Sequence, residues 1–284
     1  MTTTHLALGE HFVRRIGLGT MRYADSPENR SGMTAPVWSA PTDRHHLTRV
    51  LRHAVDLGVT LFDTADAYAL GEGERLLGEA LSGLPDDLVV ATKVGVVRPA
   101  PEIWTPLGHP DYLRQQIELS LRRLGREVLD LVYLHRIDPS YPLADQVGAL
   151  ADAVKAGKVR AVGLSEVTVE QVDAAREVMP VSAVQNHYNL VDRVHEDVLD
   201  ATGKHDTAFV PFFPLSFDAD AVPALADVAR EVGATPRQVA LAWLLRQGPH
   251  VLPIPGTTSG DHVRENVEAL DSELSTDLLA RLTP

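Results

Sequence analysis

The chain contains no cysteine. That excludes disulfides, thiolate nucleophiles and Cys-ligated zinc together, and a reducing cytoplasm is the expected setting. Positive charge is in deficit. There are 26 Lys and Arg against 39 Asp and Glu, for a formal net charge of −13. Non-specific binding to nucleic acid is not expected, and an anionic ligand would need local donors rather than a global field. No window approaches ~18 uninterrupted apolar residues, so no membrane-spanning helix is expected. The start, Met1-Thr2-Thr3-Thr4-His5, lacks a basic segment leading into an apolar run and does not read as a signal peptide. Nor is there a Gly-x-Gly-x-x-Gly between a strand and a helix. Gly17-Leu18-Gly19-Thr20-Met21-Arg22 stops short of the third glycine, so a doubly wound dinucleotide domain is not supported. No His-x-His or His-Glu-x-x-His pair marks a metal site.

What is present is a repeat. The chain has 284 residues and 44% hydrophobic content, enough for one α/β barrel of ~250 residues. Residues 5–13 alternate loosely and predict an N-terminal hairpin. Short apolar runs then follow at 16–20, 59–63, 88–93, 129–135, 159–165, 181–186, 207–212 and 250–254. Between them lie helical patterns, the first capped by Asp43 and stopped by Gly58, the others near 74–81, 111–124, 143–156, 168–178, 192–202, 222–232, 236–247, 261–269 and 273–282. Loops rich in Pro and Gly occupy about 21–42 and 95–109. The strands are continuous Val, Ile, Leu and Ala runs, which suits parallel strands covered on both faces. Eight such units predict a (β/α)8 barrel over residues 1–284, one domain, with the hairpin closing its bottom.

In such a barrel the chemistry sits where the strands end. The second strand runs Leu61-Phe62-Asp63 into Thr64-Ala65-Asp66-Ala67-Tyr68; the third ends at Lys93 and the fourth at His135. Each has an ordinary alternative: Asp63 as a helix cap, Lys93 as a snorkelling chain, His135 as a satisfied core histidine. Three ionisable types on consecutive strand ends make coincidence a poor explanation. Together they form a proton-transfer device. Tyr titrates near 10 when free, and a Lys beside it favours the phenolate. Asp63 would hold Lys93 charged, and His135 would hydrogen-bond a substrate oxygen. The expectation is a Tyr68 phenol with its pKa lowered by ~2 units. Such a phenol is a general acid for an oxygen gaining negative charge, as in carbonyl reduction.

These pieces resemble the aldo-keto reductase family. They are Gly17-Leu18-Gly19-Thr20, Asp63 through Tyr68, Thr92-Lys93, Leu129-Asp130-Leu131 through His135-Arg136, Val162-Gly163-Leu164-Ser165, Val184-Gln185-Asn186, Pro214-Leu215 and Ile254-Pro255-Gly256-Thr257, in order along nearly the whole chain. The resemblance implies a nicotinamide cofactor and a catalytic tetrad of Asp63, Tyr68, Lys93 and His135. It puts the nicotinamide carboxamide at Ser165, Glu166 and Gln185, with Phe212 stacked on the ring. Glu166 stands where relatives often have Asn; it can accept but not donate, and an N-cap or first-turn acid of the following helix is its other reading. Gly19, Thr20, Pro214 and Leu215 are expected beside the cofactor.

The diphosphate and adenosine would lie near Gly256, Thr257, Thr258 and Ser259, before a helix start suited to phosphate. The position that is Lys in relatives is Gly256, and the Arg-like one is His262, with Arg264 nearby. NADPH is favoured, with NADH possible. Glu265 and Asn266 match the pair that meets adenine, surface helix positions being the alternative. Trp38 and Trp104, in the two long loops, would either wall an apolar substrate pocket with Tyr68 and His135 or simply plug the loops. The expected partner is a small carbonyl compound, acted on by a monomer or weak oligomer. Two rival readings are a metal site built from Asp63, His135, Glu166 and His187, and a nucleotide-sensing regulatory subunit.

Overall fold

A computed structural model describes residues 3–25, 36–85 and 87–282. An antiparallel hairpin opens the chain, with β1 (His5–Leu8) paired to β2 (His11–Arg14). Strands and helices then alternate: β3 (Leu18–Gly19), α1 (Arg44–Asp56), β4 (Leu61–Asp63), α2 (Glu72–Leu81) and β5 (Val89–Val94). A small antiparallel ribbon, β6 (Val96–Val97) with β7 (Thr105–Pro106), interrupts the stretch expected to be loop. Next come α3 (Pro110–Leu124), β8 (Leu129–Leu134), α4 (Leu143–Lys155), β9 (Val159–Ser165), α5 (Val169–Arg176) and β10 (Ala183–Gln185). The remainder is α6 (Glu196–Thr202), β11 (Ala208–Phe209), α7 (Leu225–Val232), α8 (Pro236–Arg246), α9 (Gly260–Glu268) and α10 (Thr276–Leu282).

Seven strands form one parallel sheet in the order β3-β4-β5-β8-β9-β10-β11. The eighth segment, expected at 250–254, joins the two ends of that sheet. Val251 bridges Phe209 on one side, and Gly256 bridges Gly19 on the other. Leu252 N–H donates to the Phe209 carbonyl at 2.9 Å and Gly17 N–H to that of Pro253 at 3.0 Å. The segment makes no regular ladder because Pro253 and Pro255 have no N–H to donate. The fold is therefore a (β/α)8 barrel, as the repeat predicts.

Local chemistry explains most boundaries. Thr168 and Thr235 cap α5 and α8 in reciprocal boxes with Gln171 and Gln238. Asp43 occupies the N-cap of α1, but its side chain makes no capping bond. The helix expected from 192 begins only at Glu196, because the Asn189 carboxamide oxygen accepts from Val191 N–H at 2.9 Å and Asp192 N–H at 2.8 Å and holds a turn instead.

Strand alternation then places the site. Leu6, Leu8 and Val13 of the hairpin share one cluster with Leu61, Val89, Leu131, Ala161, Ala183, Ala208 and Leu252. This plugs the barrel where the strands begin. Steps of two from these inward residues reach Asp63, Lys93, His135, Ser165, Gln185 and Phe212 at the other end. The intervening residues Phe62, Val90, Val132, Val162 and Val184 face the helices. Gly163 leaves interior room, since a Cβ there would lie 2.5 Å from the Tyr133 ring.

Arg15 secures the closure. It is 1% exposed, and burial pulls its pKa down to about 10. Its Nε donates to Val251 O at 3.1 Å, and Nη2 donates to Leu245 O at 2.8 Å and to Gly248 O. One side chain thus ties the start of the chain to the end of α8 and to the eighth segment. Arg15→Met keeps the apolar stem and orphans these carbonyls. It should lower unfolding free energy by about 3 kcal/mol, measured by urea denaturation; an unchanged midpoint would show that the closure holds without it.

Candidate active site

Lys93 is the centre of the site and is 1% exposed. An ammonium has three protons, and each has a partner. Nζ donates to Asp63 Oδ1 at 2.5 Å, to the Thr64 carbonyl at 2.8 Å and to Tyr68 Oη at 3.2 Å. Asp63 is held from its other side by Gln185 Nε2 at 2.8 Å. Because Tyr68 Oη accepts from Lys93, the phenol's own proton is left to point elsewhere. Burial works to strip Lys93 of its charge, but Asp63 and Tyr68 more than offset it and hold its pKa above the ordinary value. Burial pushes Tyr68 up, and Lys93 pulls it only part of the way back. The lowered phenol pKa expected from sequence is thus not found, because desolvation outweighs the neighbouring cation. The phenol is protonated at neutral pH, which is the form a proton donor needs.

His135 packs edge-on to Tyr68, ring centroids 6.1 Å apart. Burial, then the positive charges of Lys93, Arg136 and Arg98, drive its pKa well below 6.5, so the imidazole is neutral. Trp104 stands edge-on to both rings, at 6.3 Å from Tyr68 and 6.1 Å from His135. The Arg98 guanidinium lies 3.5 Å over the Trp104 ring and donates to the carbonyls of Ile103, Val37, Ala67, Pro36 and Pro101. It locks the loop that carries the indole. Directly after Tyr68, Ala69 and Leu70 both adopt left-handed φ, 49° and 53°. Neither is glycine, so the turn that presents the phenol is strained.

These groups line one cavity of about 660 Å³. Asp63, Tyr68, Lys93, His135 and Trp104 share it with Gly19, Ser165, Gln185, Phe212, Pro214, Leu215 and Gly256. Trp38 is not in its lining. Val37 takes that place, while Trp38 lies under Arg98, 5.7 Å from ring to guanidinium. Among the described residues, no three His, Asp or Glu side chains converge where a metal could be held.

The sequence model of the Aldo/keto reductase family matches residues 15–283. The chain belongs to this family. It is 40% identical, over 97% of its length and 87% of the relative's, to an uncharacterised oxidoreductase of Schizosaccharomyces pombe. It is 39% identical to a pyridoxine 4-dehydrogenase of Escherichia coli, over 99% of this chain and 98% of that one. Among solved structures, an aldo/keto reductase of Klebsiella pneumoniae in complex with NADP and acetate matches with a TM-score of 0.80 and 30% identity, over 99% of this chain and 94% of that one.

Other residues expected at the cofactor of this aldo/keto reductase lie outside the cavity lining. Thr20 Oγ1 donates to the Asp63 carbonyl at 2.9 Å and so braces the strand end. Glu166 adopts a left-handed φ of 55°, and its carboxylate accepts from His187 N–H at 2.6 Å. It does not cap α5, where Thr168 does. Thr257 Oγ1 accepts from Ser259 N–H at 3.1 Å and lies 3.4 Å from His262 Nδ1. Ser259 caps α9, the Thr258 carbonyl meets His46, and Arg264 lies against His53. Glu265 accepts from Thr235 Oγ1 at 2.6 Å and pairs with Arg237 at 3.3 Å. Arg237 also lines the cavity, so this shoulder adjoins it. Asn266 is buried, and neither its Nδ2 nor its Oδ1 has a partner. A buried amide with both ends open is out of place unless a ligand completes it. A purine edge, with donors and acceptors side by side, fits that need.

Sequence reasoning missed two cavity arginines, Arg22 and Arg237. Arg136, directly after a strand end, opens a loop that the sequence makes a candidate for the pocket wall, though without a role. Arg237 lies inside an ordinary helical pattern and gave no signal. Asp66 sits in the turn before Tyr68, but it is not an ordinary surface turn residue. It is 6% exposed, with Oδ1 unpartnered. Burial, then the charge of Glu74, pushes its carboxyl well above the ordinary range, only partly relieved by Arg123. A carboxyl raised on folding contributes full stability below about pH 4, where the unfolded chain is also protonated, and less as pH rises. Asp66→Asn removes that loss. Its Tm relative to the parent should therefore improve from pH 4 to pH 7, and a pH-independent difference would contradict the assignment.

Proposed function

We propose that the protein reduces an aldehyde or ketone to the alcohol using NADPH, with Tyr68 as proton donor. The observation that carries the reading is the saturation of Lys93. All three of its protons are engaged, one of them with Tyr68 Oη. The phenol can then offer its own proton only into the cavity. NADPH supplies the hydride that reduces the carbonyl carbon. Tyr68 protonates the carbonyl oxygen as charge builds there, and Lys93 stabilises the phenolate left behind. Asp63 keeps Lys93 charged, and Gln185 keeps Asp63 in place. Neutral His135 hydrogen-bonds the carbonyl oxygen and sets the face presented.

Cavity composition supports the cofactor. Arg22, Ser216, Arg237 and Gly256 line it, giving cationic and backbone donors for phosphates. Asn266 awaits a partner nearby. The Klebsiella pneumoniae structure contains NADP, which favours the phosphorylated cofactor here. Substrate choice starts from the Escherichia coli relative, a pyridoxine 4-dehydrogenase. Oxidation of pyridoxine at that position yields an aromatic aldehyde, and aromatic aldehydes suit a cavity walled by Trp104.

Cofactor oxidation at 340 nm with an aldehyde and ketone panel tests the reading. Tyr68→Phe should bind NADPH about as tightly as the parent and lose ~10²–10⁴ of the reduction rate. Unchanged turnover would remove Tyr68 from the role. Asn266→Ala should weaken NADPH binding about tenfold, and kcat/KM should be higher with NADPH than with NADH. Tight NADPH binding without turnover of any carbonyl would point instead to a nucleotide-sensing subunit.

A further inference from the structure

Arg136 follows His135 at the top of β8 and lines the cavity. Its side chain is half-buried. Both of its hydrogen bonds among the described residues leave from Nη1, one to the His135 carbonyl at 2.5 Å and one to Ser165 Oγ at 3.1 Å. No carboxylate lies within ion-pair distance of it among the described residues. Glu166 acts on it electrostatically from beyond that distance, and the Glu166 Oε1 accepts from His187 N–H. Three other arginines differ. Arg237 is paired with Glu265, while Arg98 and Arg15 are wrapped by backbone carbonyls. A desolvated guanidinium with unused donors, anchored at one nitrogen and open to a cavity, lacks its anion.

We propose that Arg136 is a specificity residue that receives an anionic oxygen of the substrate, so that the preferred carbonyl compounds carry a carboxylate or phenolate on an apolar body. The inference rests on the carbonyl-reduction reading. Trp104, Val96, Val37 and Met21 line the same cavity and supply the apolar contact for that body. The Nη1 bonds to His135 O and Ser165 Oγ fix the guanidinium next to the groups that would hold the carbonyl. An arginine there can bind a carboxylate through two nitrogens, whereas a lysine would act as a point charge. Association of such a substrate would also be favoured against the −13 background of the chain only by local charge, which Arg136 provides.

The test compares 3- and 4-formylbenzoate with 3- and 4-formylbenzamide, which match closely in size and differ in charge. The parent should prefer the carboxylate at one or both ring positions by about tenfold or more in kcat/KM, the scale of one charge-assisted hydrogen bond. Arg136→Gln should abolish that preference and Arg136→Lys restore part of it. Because the ratio is taken within each variant, any effect of Arg136 on Tyr68 or His135 cancels. A merely structural role would leave the ratio unchanged. Calorimetric binding of benzoate and benzamide to the NADP⁺-loaded protein reads the same preference without turnover. Equal use of acid and amide by the parent, or a preference that survives Arg136→Gln, overturns the proposal. If NADPH binds but no aldehyde is reduced, the reductase reading fails, and the benzoate binding still decides what Arg136 does.

Discussion

A buried ammonium is expensive, and the upper end of this barrel is arranged around one. Lys93 has almost no contact with solvent, so its charge persists only because Asp63 lies 2.5 Å away and two further oxygens complete its shell. Removing one member of such a pair typically costs about 3–5 kcal/mol, since the other is stranded. The dependence extends outward. Asp63 needs Gln185, Thr20 braces the Asp63 carbonyl, and the Thr64 carbonyl that serves Lys93 begins the strained turn carrying Tyr68. Strands β3, β4, β5 and β10 all contribute to keeping one proton in place.

The distribution of charge follows a similar logic. The chain is strongly acidic overall, yet three arginines line its principal cavity. Overall charge governs solubility and what stays away. Local charge governs what is held, and here it is positive. One of the three arginines, Arg136, joins Lys93 and Arg98 in keeping His135 neutral, so part of the field that attracts anions also selects the protonation state of the imidazole.

Much of this was legible in the primary structure, and the reason is periodicity. Strands alternate with period two, so Asp63, Lys93 and His135, each closing an apolar run, had to share one rim once the barrel was recognised. The hairpin and most helices were legible for the same reason. Other features have no periodic signature. The eighth segment reads as a strand, but its prolines reduce it to bridges. Trp38 and Val37 are neighbours, and only the fold decides which one faces the cavity. Asp66 resembles any turn residue until the burial of Glu74 and Arg123 around it is seen. The rise in the Tyr68 pKa is a desolvation effect, invisible to spacing.

The proline-punctuated closure has a further meaning. The ring of strands has a seam between β11 and β3, stitched by few bonds, and Gly19, Ile254, Pro255 and Gly256 at that seam also line the cavity. A long ligand lying along it would touch both lips and supply contacts that the missing amide protons cannot. In that case the cofactor acts as a mortar as well as a reagent, and occupancy of the groove and integrity of the ring become linked quantities. Cellular cofactor supply would then help set how long the folded molecule survives, and not only how fast it works.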